Sequence, residues 1–205
     1  IVLLESLIEL NSINNGLLRL AISRGNIEGP SWKYKGEPNT YISINPLISE
    51  QKKPVKIIFL NEKDYPIIRF NPAIKSMNYI GNMKAKMDAY NQGAFEPAFY
   101  NRDKIVTECA IRNIFFIKSE VLYTPSLDLG VLPGVMRSTI LDIAKKEKLE
   151  IRESYINFDE INNFDEAFIS SSGIGILACY WDDWKSDYTI TKKIKKILAD
   201  KLTNW

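Results

Sequence analysis

Between residues 98 and 123 the sequence runs through four short apolar stretches, 98–100, 105–107, 113–117 and 121–123. Each is too short for a helix, and together they are rich in the β-branched and aromatic residues that suit a pleated surface. Lys118, Ser119 and Glu120 read as a hairpin turn between the last two. A succession of this kind demands a sheet, and every other element must be placed around it.

Helical patterns flank these strands. Pro72 opens a helical segment over 72–91 that Gly93 ends. Gly81, Ala85 and Ala89 recur every four residues and give it a small face that can pack closely. Met77, Ile80 and Met87 lie on a neighbouring apolar face. Residues 138–148 carry Ile140, Leu141, Ile143 and Ala144 as an apolar stripe. The clearest helix is the last, with Ile190, Ile194, Ile197, Leu198 and Leu202 at helical spacing and Lys192, Lys193, Lys195 and Lys196 as a solvated face. Further strands are expected over 56–60, 67–70, 167–170 and 174–180. Ahead of them, 1–10 reads as an amphipathic helix stopped by Asn14, Asn15 and Gly16, followed by strands over 17–23 and 41–44 with a loop over 24–37 between them. The polar stretch 49–54, closed by Pro54, reads as a linker. The expected fold is α+β (mixed α/β) in two parts, a small N-terminal α+β domain over 1–50 and a large domain over 51–205.

Composition narrows the chemistry. The 205 residues are 45% apolar and 25% charged, and the net charge is +2 with no long block of one sign. That balance offers no electrostatic footprint for nucleic acid or a membrane surface. No stretch approaches the roughly 18 apolar residues of a membrane span. The first ten residues hold Glu5 and Glu9, which is unlike a signal peptide. The chain has no histidine, so the commonest general base, the histidine triads and most zinc sites fall away, and no metal is expected. Cys109 and Cys179 stand apart with no Cys-x-x-Cys spacing, which fits a reduced, cytoplasmic setting. Chemistry without histidine or metal needs another source. A lysine joined to an organic cofactor is one.

Three blocks, in order, carry a resemblance. The first is Ile74-Lys75-Ser76-Met77-Asn78-Tyr79, followed by Ala85-Lys86 and Ala89. The second is Val106-Thr107-Glu108-Cys109-Ala110-Ile111-Arg112-Asn113-Ile114-Phe115. The third runs through Leu122-Tyr123-Thr124-Pro125 to Leu132-Pro133-Gly134-Val135-Met136-Arg137. Arg24-Gly25, and Asp165-Glu166-Ala167-Phe168 with Ser171-Ser172-Gly173, extend the match to roughly residues 17–180. This pattern resembles the class IV aminotransferase-like (fold-type IV) enzymes, which use pyridoxal 5′-phosphate (PLP): the branched-chain and D-amino acid aminotransferases and the 4-amino-4-deoxychorismate lyases.

The resemblance implies roles. Lys75 is the Schiff-base lysine and the base that moves the substrate proton, work for which a lysine suits because its pKa falls readily near a cationic ring. Glu108 pairs with the ring nitrogen. Gly134, Val135 and Met136, just ahead of an expected helix, offer backbone N–H groups to the cofactor phosphate, and Ser172 and Gly173 add a hydroxyl and an N–H. Arg24, Tyr79 and Arg112 are candidate substrate-facing residues. Arg112 stands where the family tends to have a small residue, and Arg137 has a structural ion pair as its alternative role. The family carries a longer small domain than 1–50, so that domain is expected to be incomplete here. The implied reaction is transfer of an amino group between an amino acid and a 2-oxo acid. Pyruvate elimination from aminodeoxychorismate, or PLP binding without turnover, are the alternatives, and a homodimer is the implied assembly.

Overall fold

The computed structural model describes residues 2–13, 15–26, 29, 30, 32, 36–47 and 53–203. It divides the chain into two compact units, Ile1–Glu50 and Gln51–Trp205. Most of the linker expected over 49–54, part of the loop expected over 24–37, and Asn14 of the expected helix stop lie outside the described residues. In the first unit a helix, α1 (Val2–Asn11), precedes an antiparallel pair, β1 (Gly16–Ser23) and β2 (Asn39–Pro46). Asn11 Nδ2 donates to Leu7 O at 2.8 Å at the end of α1, occupying one of the carbonyls that a helix terminus leaves open.

The second unit is built on a mixed sheet. Its strands are β3 (Val55–Asn61), β4 (Glu96–Tyr100), β5 (Ile105–Cys109), β6 (Asn113–Lys118), β7 (Val121–Pro125), β8 (Ile151–Ser154), β9 (Ile156–Asn157), β10 (Glu166–Ser171) and β11 (Gly175–Tyr180). Among the described residues they lie in the order β8-β7-β6-β10-β11-β3-β4-β5-β9. The two edge strands, β8 and β9, are separated in the chain by Tyr155 alone. Two Cα steps of about 3.8 Å therefore span the distance between the edges, and the sheet must curl until they meet. The inside of the curl is filled from nearly every strand: Val55, Ile57, Ala98, Val106, Cys109, Ile114, Phe116, Ile156, Ala167, Ile169, Leu177, Cys179 and Trp181 form one buried cluster. Each fully buried large side chain there is worth roughly 1.5–3 kcal/mol.

Helices cover the outside. The helix α2 (Ile80–Asn91) connects the parallel pair β3–β4, and α3 (Val135–Lys146) connects the parallel pair β7–β8. The C-terminal α4 (Thr189–Thr203) packs beside α3, where Phe115, Phe168, Ile140, Ile143, Ile194 and Leu198 make a second buried cluster. The buried Glu166 fastens the start of α4, accepting from Ile190 N at 2.8 Å and Thr191 N at 2.7 Å. A carboxylate on a helix N-terminus satisfies orphan donors and opposes the positive end of the dipole. At the β6–β7 hairpin Ser119 and Glu120 both take left-handed φ, 48° and 63°, which matches the twist of a two-residue turn. No helix among the described residues is long and apolar enough to cross a membrane.

Three expectations change. Residues 67–70 join no strand: Pro66 and Pro72 fence the run, and Arg69 is drawn away into side-chain contacts. The helix expected from Pro72 begins only at Ile80. Short local bonds, Ser76 N to Ile74 O, Tyr79 N to Met77 O and Asn78 N to Ser76 Oγ, take up the amide donors that a helix would need there. The close-packing face of α2 is present, with Gly81, Ala85 and Ala89 buried, but Met77, Ile80 and Met87 are exposed. Strands β8 and β9 were not expected at all.

Gly81 is fixed by contact. A Cβ there would stand 2.6 Å from the carbonyl oxygen of Pro66, a backbone atom that cannot step aside. Alanine gains about 1 kcal/mol of helix propensity over glycine, but the collision is the larger effect. Gly81→Ala is expected to lower stability by about 1–3 kcal/mol. Gly173→Ala, whose Cβ would meet nothing within 4 Å, should leave the thermal midpoint in place. Calorimetry of both variants checks the contrast.

Candidate active site

The strand β5 presents its polar residues through an irregularity. Cys109 pairs with Ala98 and Val106 with Tyr100, with a register shift between them. In a regular strand residues 106 and 109 would face opposite sides. Here both belong to the inner cluster, and the bulge turns Thr107 and Glu108 to other partners. The Glu108 side chain is only 15% exposed. Its Oε1 accepts from Arg69 Nη1, and its Oε2 accepts from Leu132 N at 3.0 Å. Burial pushes the Glu108 carboxyl above its ordinary range. The Arg69 guanidinium and the Leu132 N–H pull it down, while the Glu62 carboxylate adds to the rise.

Leu132 links Glu108 to the start of α3. Its carbonyl accepts from Asn113 Nδ2 at 2.8 Å and from Gly134 N at 2.8 Å. Gly134 is the N-cap of α3, with φ −63° and ψ 143°, and among the described residues no side chain caps the helix. A Cβ on Gly134 would fall inside the contact distance of Asn113 Oδ1, so only glycine lets Asn113 seat there. The first N–H groups of α3, on Val135 and Met136, have no intrahelical partner by construction. The Met136 side chain is buried among the α3–α4 residues and that of Val135 is exposed, so what these residues offer at the helix start is backbone. Asn113 also faces Ser170 in the β6–β10 ladder. The β10–β11 turn, with Ser172 and Gly173, therefore leaves the sheet beside Asn113. Ser172 is exposed, and the space a Gly173 Cβ would take is open.

The other candidates lie in different settings. Lys75 is exposed in the irregular segment ahead of α2, with Nζ 5.9 Å from the centre of the Tyr79 ring. That proximity comes from the local turns rather than from a shared helix face. Arg24 follows β1 in the first unit, next to Gly25 at φ 78°. Arg112 is committed elsewhere: its Nη1 pairs with the fully buried Glu96, and its guanidinium lies 4.8 Å from the Phe95 ring centre. Glu96 also takes Lys86 Nζ at 2.7 Å and Ile111 N at 3.0 Å, so this cluster braces the turn between β5 and β6. Arg137 is 3% exposed and donates to Glu153 at 2.7 Å and to Pro125 O at 3.1 Å, a structural ion pair. Both cysteines are buried, and burial pushes their thiols up, away from nucleophilic use. Two residues of the Glu108 network, Arg69 and Glu62, were not anticipated. The one available signal was a lone charge inside the apolar run Ile67-Ile68-Arg69-Phe70.

The family model described as amino-transferase class IV matches residues 2–179. A protein of Methanocaldococcus jannaschii named as a putative branched-chain-amino-acid aminotransferase is 31% identical over an alignment covering 100% of this chain and 73% of that protein. A D-alanine aminotransferase of Listeria monocytogenes is 32% identical across 85% of this chain and 61% of its own length. Among solved structures, a putative 4-amino-4-deoxychorismate lyase from Legionella pneumophila superposes with a TM-score of 0.87 at 24% identity, covering 97% of this chain and 75% of that one.

The close seat of Asn113 against Gly134 yields a coupling. Gly134→Ala is expected to cost about 1–3 kcal/mol through the forced displacement of Asn113. In an Asn113→Ala background the same change should cost less, a non-additivity of about 0.5 kcal/mol or more in a double-mutant cycle. Denaturant unfolding of the four proteins measures it, and strict additivity would show that the two residues do not touch.

Proposed function

The chain belongs to the class IV aminotransferase family, and from that premise we propose that it transfers an amino group between an amino acid and a 2-oxo acid, with Lys75 as the amine that holds PLP. The family's cofactor is PLP. When bound, it supplies an electron sink for the charge left when an amino acid loses its α-proton. The observation that carries the reading is the junction of a buried carboxylate, Glu108, with the bare N-terminus of α3 through Leu132.

The residues present fit the cofactor. Glu108 spends one bond on each oxygen, and a carboxylate has roughly four lone-pair sites, so it can accept a ring N–H as well. The N–H groups of Val135 and Met136 lie where the helix dipole favours a phosphate. The Ser172 hydroxyl and the Gly173 N–H supply further donors from the neighbouring turn. Lys75 takes up the substrate proton and returns it, and Tyr79 stands beside it. Arg112 is assigned to bracing, since its charge is already paired with Glu96.

Pyruvate elimination from aminodeoxychorismate is the second reading. It is favoured by the run Thr107-Glu108-Cys109 together with Tyr123-Thr124-Pro125 and Gly134-Val135-Met136-Arg137. Products decide between them: amino transfer leaves a 2-oxo acid and a new amino acid, whereas elimination leaves pyruvate and 4-aminobenzoate. A homodimer is part of the proposal. Its support is the stripe Ile80, Met83, Met87 and Tyr90 along α2, which is 80%, 45%, 61% and 78% exposed. Contiguous apolar surface of this kind marks an interaction face.

Two measurements test the reading. Protein reconstituted with PLP should show the cofactor's visible absorption band, and Lys75→Ala should remove it; a band unchanged in that variant would reject Lys75. Sedimentation of the wild type should give a dimer that Ile80→Glu with Met87→Glu dissociates. A wild-type monomer at micromolar concentration would reject the α2 face.

A further inference from the structure

We propose that Arg69, clamped by Glu62 and Thr107, is a positioning residue that holds Glu108 as the anionic partner of the cofactor ring, so that the proton between them stays on the ring nitrogen. The proposal rests on the cofactor reading above and goes beyond it by naming what sets the state of Glu108.

The geometry is that of a fixed fork. One edge of the Arg69 guanidinium is held by Glu62: Nε donates to Glu62 Oε1 at 3.0 Å and Nη2 donates to the same oxygen at 2.5 Å. Nη2 also lies 3.1 Å from Thr107 Oγ1, and that hydroxyl donates to Glu62 Oε1 at 2.6 Å. A guanidinium is planar and rigid, so fixing the Nε–Nη2 edge fixes the direction of Nη1. Nη1 points at Glu108 Oε1. The backbone N–H of Leu132 holds the other carboxylate oxygen, so the plane of Glu108 is set from two sides.

The charges then divide one cation between two carboxylates. The groups facing Glu108 are Arg69 from the segment ahead of α2, Glu62 from the turn after β3, and the Leu132 N–H from the loop ahead of α3. A carboxylate and a ring nitrogen that share one proton leave it on the more basic partner. Burial alone would make Glu108 the stronger base and move the proton onto the carboxyl. A cation in contact opposes this by favouring the anion. Glu62 tempers the cation, so that Glu108 remains a good acceptor. No electron is transferred in this arrangement; it sets only which of the two partners holds one proton.

Lysine in place of Arg69 keeps the charge and loses the fork, whereas methionine keeps the bulk and loses the charge. Glu62→Gln removes the opposing carboxylate and leaves the whole cation to Glu108. The first measurement is a carbon-13 titration of the side-chain carboxyls in cofactor-free protein, with Glu108 assigned through Glu108→Gln. Arg69→Met should raise the Glu108 midpoint by roughly one to three pH units and Glu62→Gln should lower it. A role confined to structure would not give displacements of opposite sign. The second measurement is nitrogen-15 NMR of protein loaded with ring-labelled PLP. The wild type and Arg69→Lys should show a protonated ring nitrogen, and Arg69→Met an unprotonated one. A Glu108 midpoint that moves in neither variant, or a ring nitrogen that stays protonated in Arg69→Met, overturns the inference and leaves the cofactor reading standing. A wild type that takes up no PLP overturns that reading, while the bare-protein titration still decides whether Arg69 and Glu62 set Glu108.

Discussion

The contact between the two edges of the large sheet governs the second unit. With only Tyr155 between β8 and β9, the edges cannot lie at opposite ends of a flat sheet. Closure gives the chain an inside, which the apolar side chains of seven strands fill, and an outside on which the helices lie. Most strand residues that face the inner cluster are apolar, and the candidate site draws on places where that pattern breaks: the bulge in β5 and the ends of β6 and β10. Glu108, Asn113 and the turn after Ser171 all come from these exceptions. Asn113 and the turn after Ser171 lie at the same end of the β6–β10 pair.

Three buried or nearly buried carboxylates show how differently one residue type can be used. Glu96 is surrounded by Lys86, Arg112 and the Ile111 N–H, and Glu166 holds two amides of α4. Both are tied to groups whose only evident work is to hold elements together, and removing either would strand a partner at a cost of several kcal/mol. Glu108 differs because its cation is shared with Glu62 and its remaining lone pairs are not taken by the contacts just described. A buried carboxylate with capacity left over is poised to accept something more.

Local signals made some of this legible in advance. The β6–β7 hairpin follows from two apolar runs around a polar turn, and α4 from an unbroken helical stripe. Glu108 and Gly134 could be named through the family resemblance that their motifs carry, but their connection through Leu132 and Asn113 could not, because it joins residues far apart in the chain. The strands β8 and β9 are too short to show a period; they exist because β7 and β5 supply them with ladder partners. The apolar run 67–70 looked like a strand because periodicity registers side chains, whereas the absence of a ladder partner is a tertiary fact. Treating it as a strand is also what concealed Arg69.

The late start of α2 gives the segment bearing Lys75 its form. Gly81, in the first turn of the helix, packs on the backbone of Pro66, so the chain from 66 to 81 leaves and returns to one point. A loop of this length whose ends touch is a compact unit on its own scale. Arg69 ties one limb of the loop to β5, and the buried small face of α2 anchors the other. Lys75 sits between these anchors with an exposed side chain. A helix through Pro72 would have pointed the lysine along one fixed ridge. A closed loop instead gives its amine a defined origin and a range of directions. That suits the role proposed for Lys75, to hold a cofactor first and then carry a proton beside it.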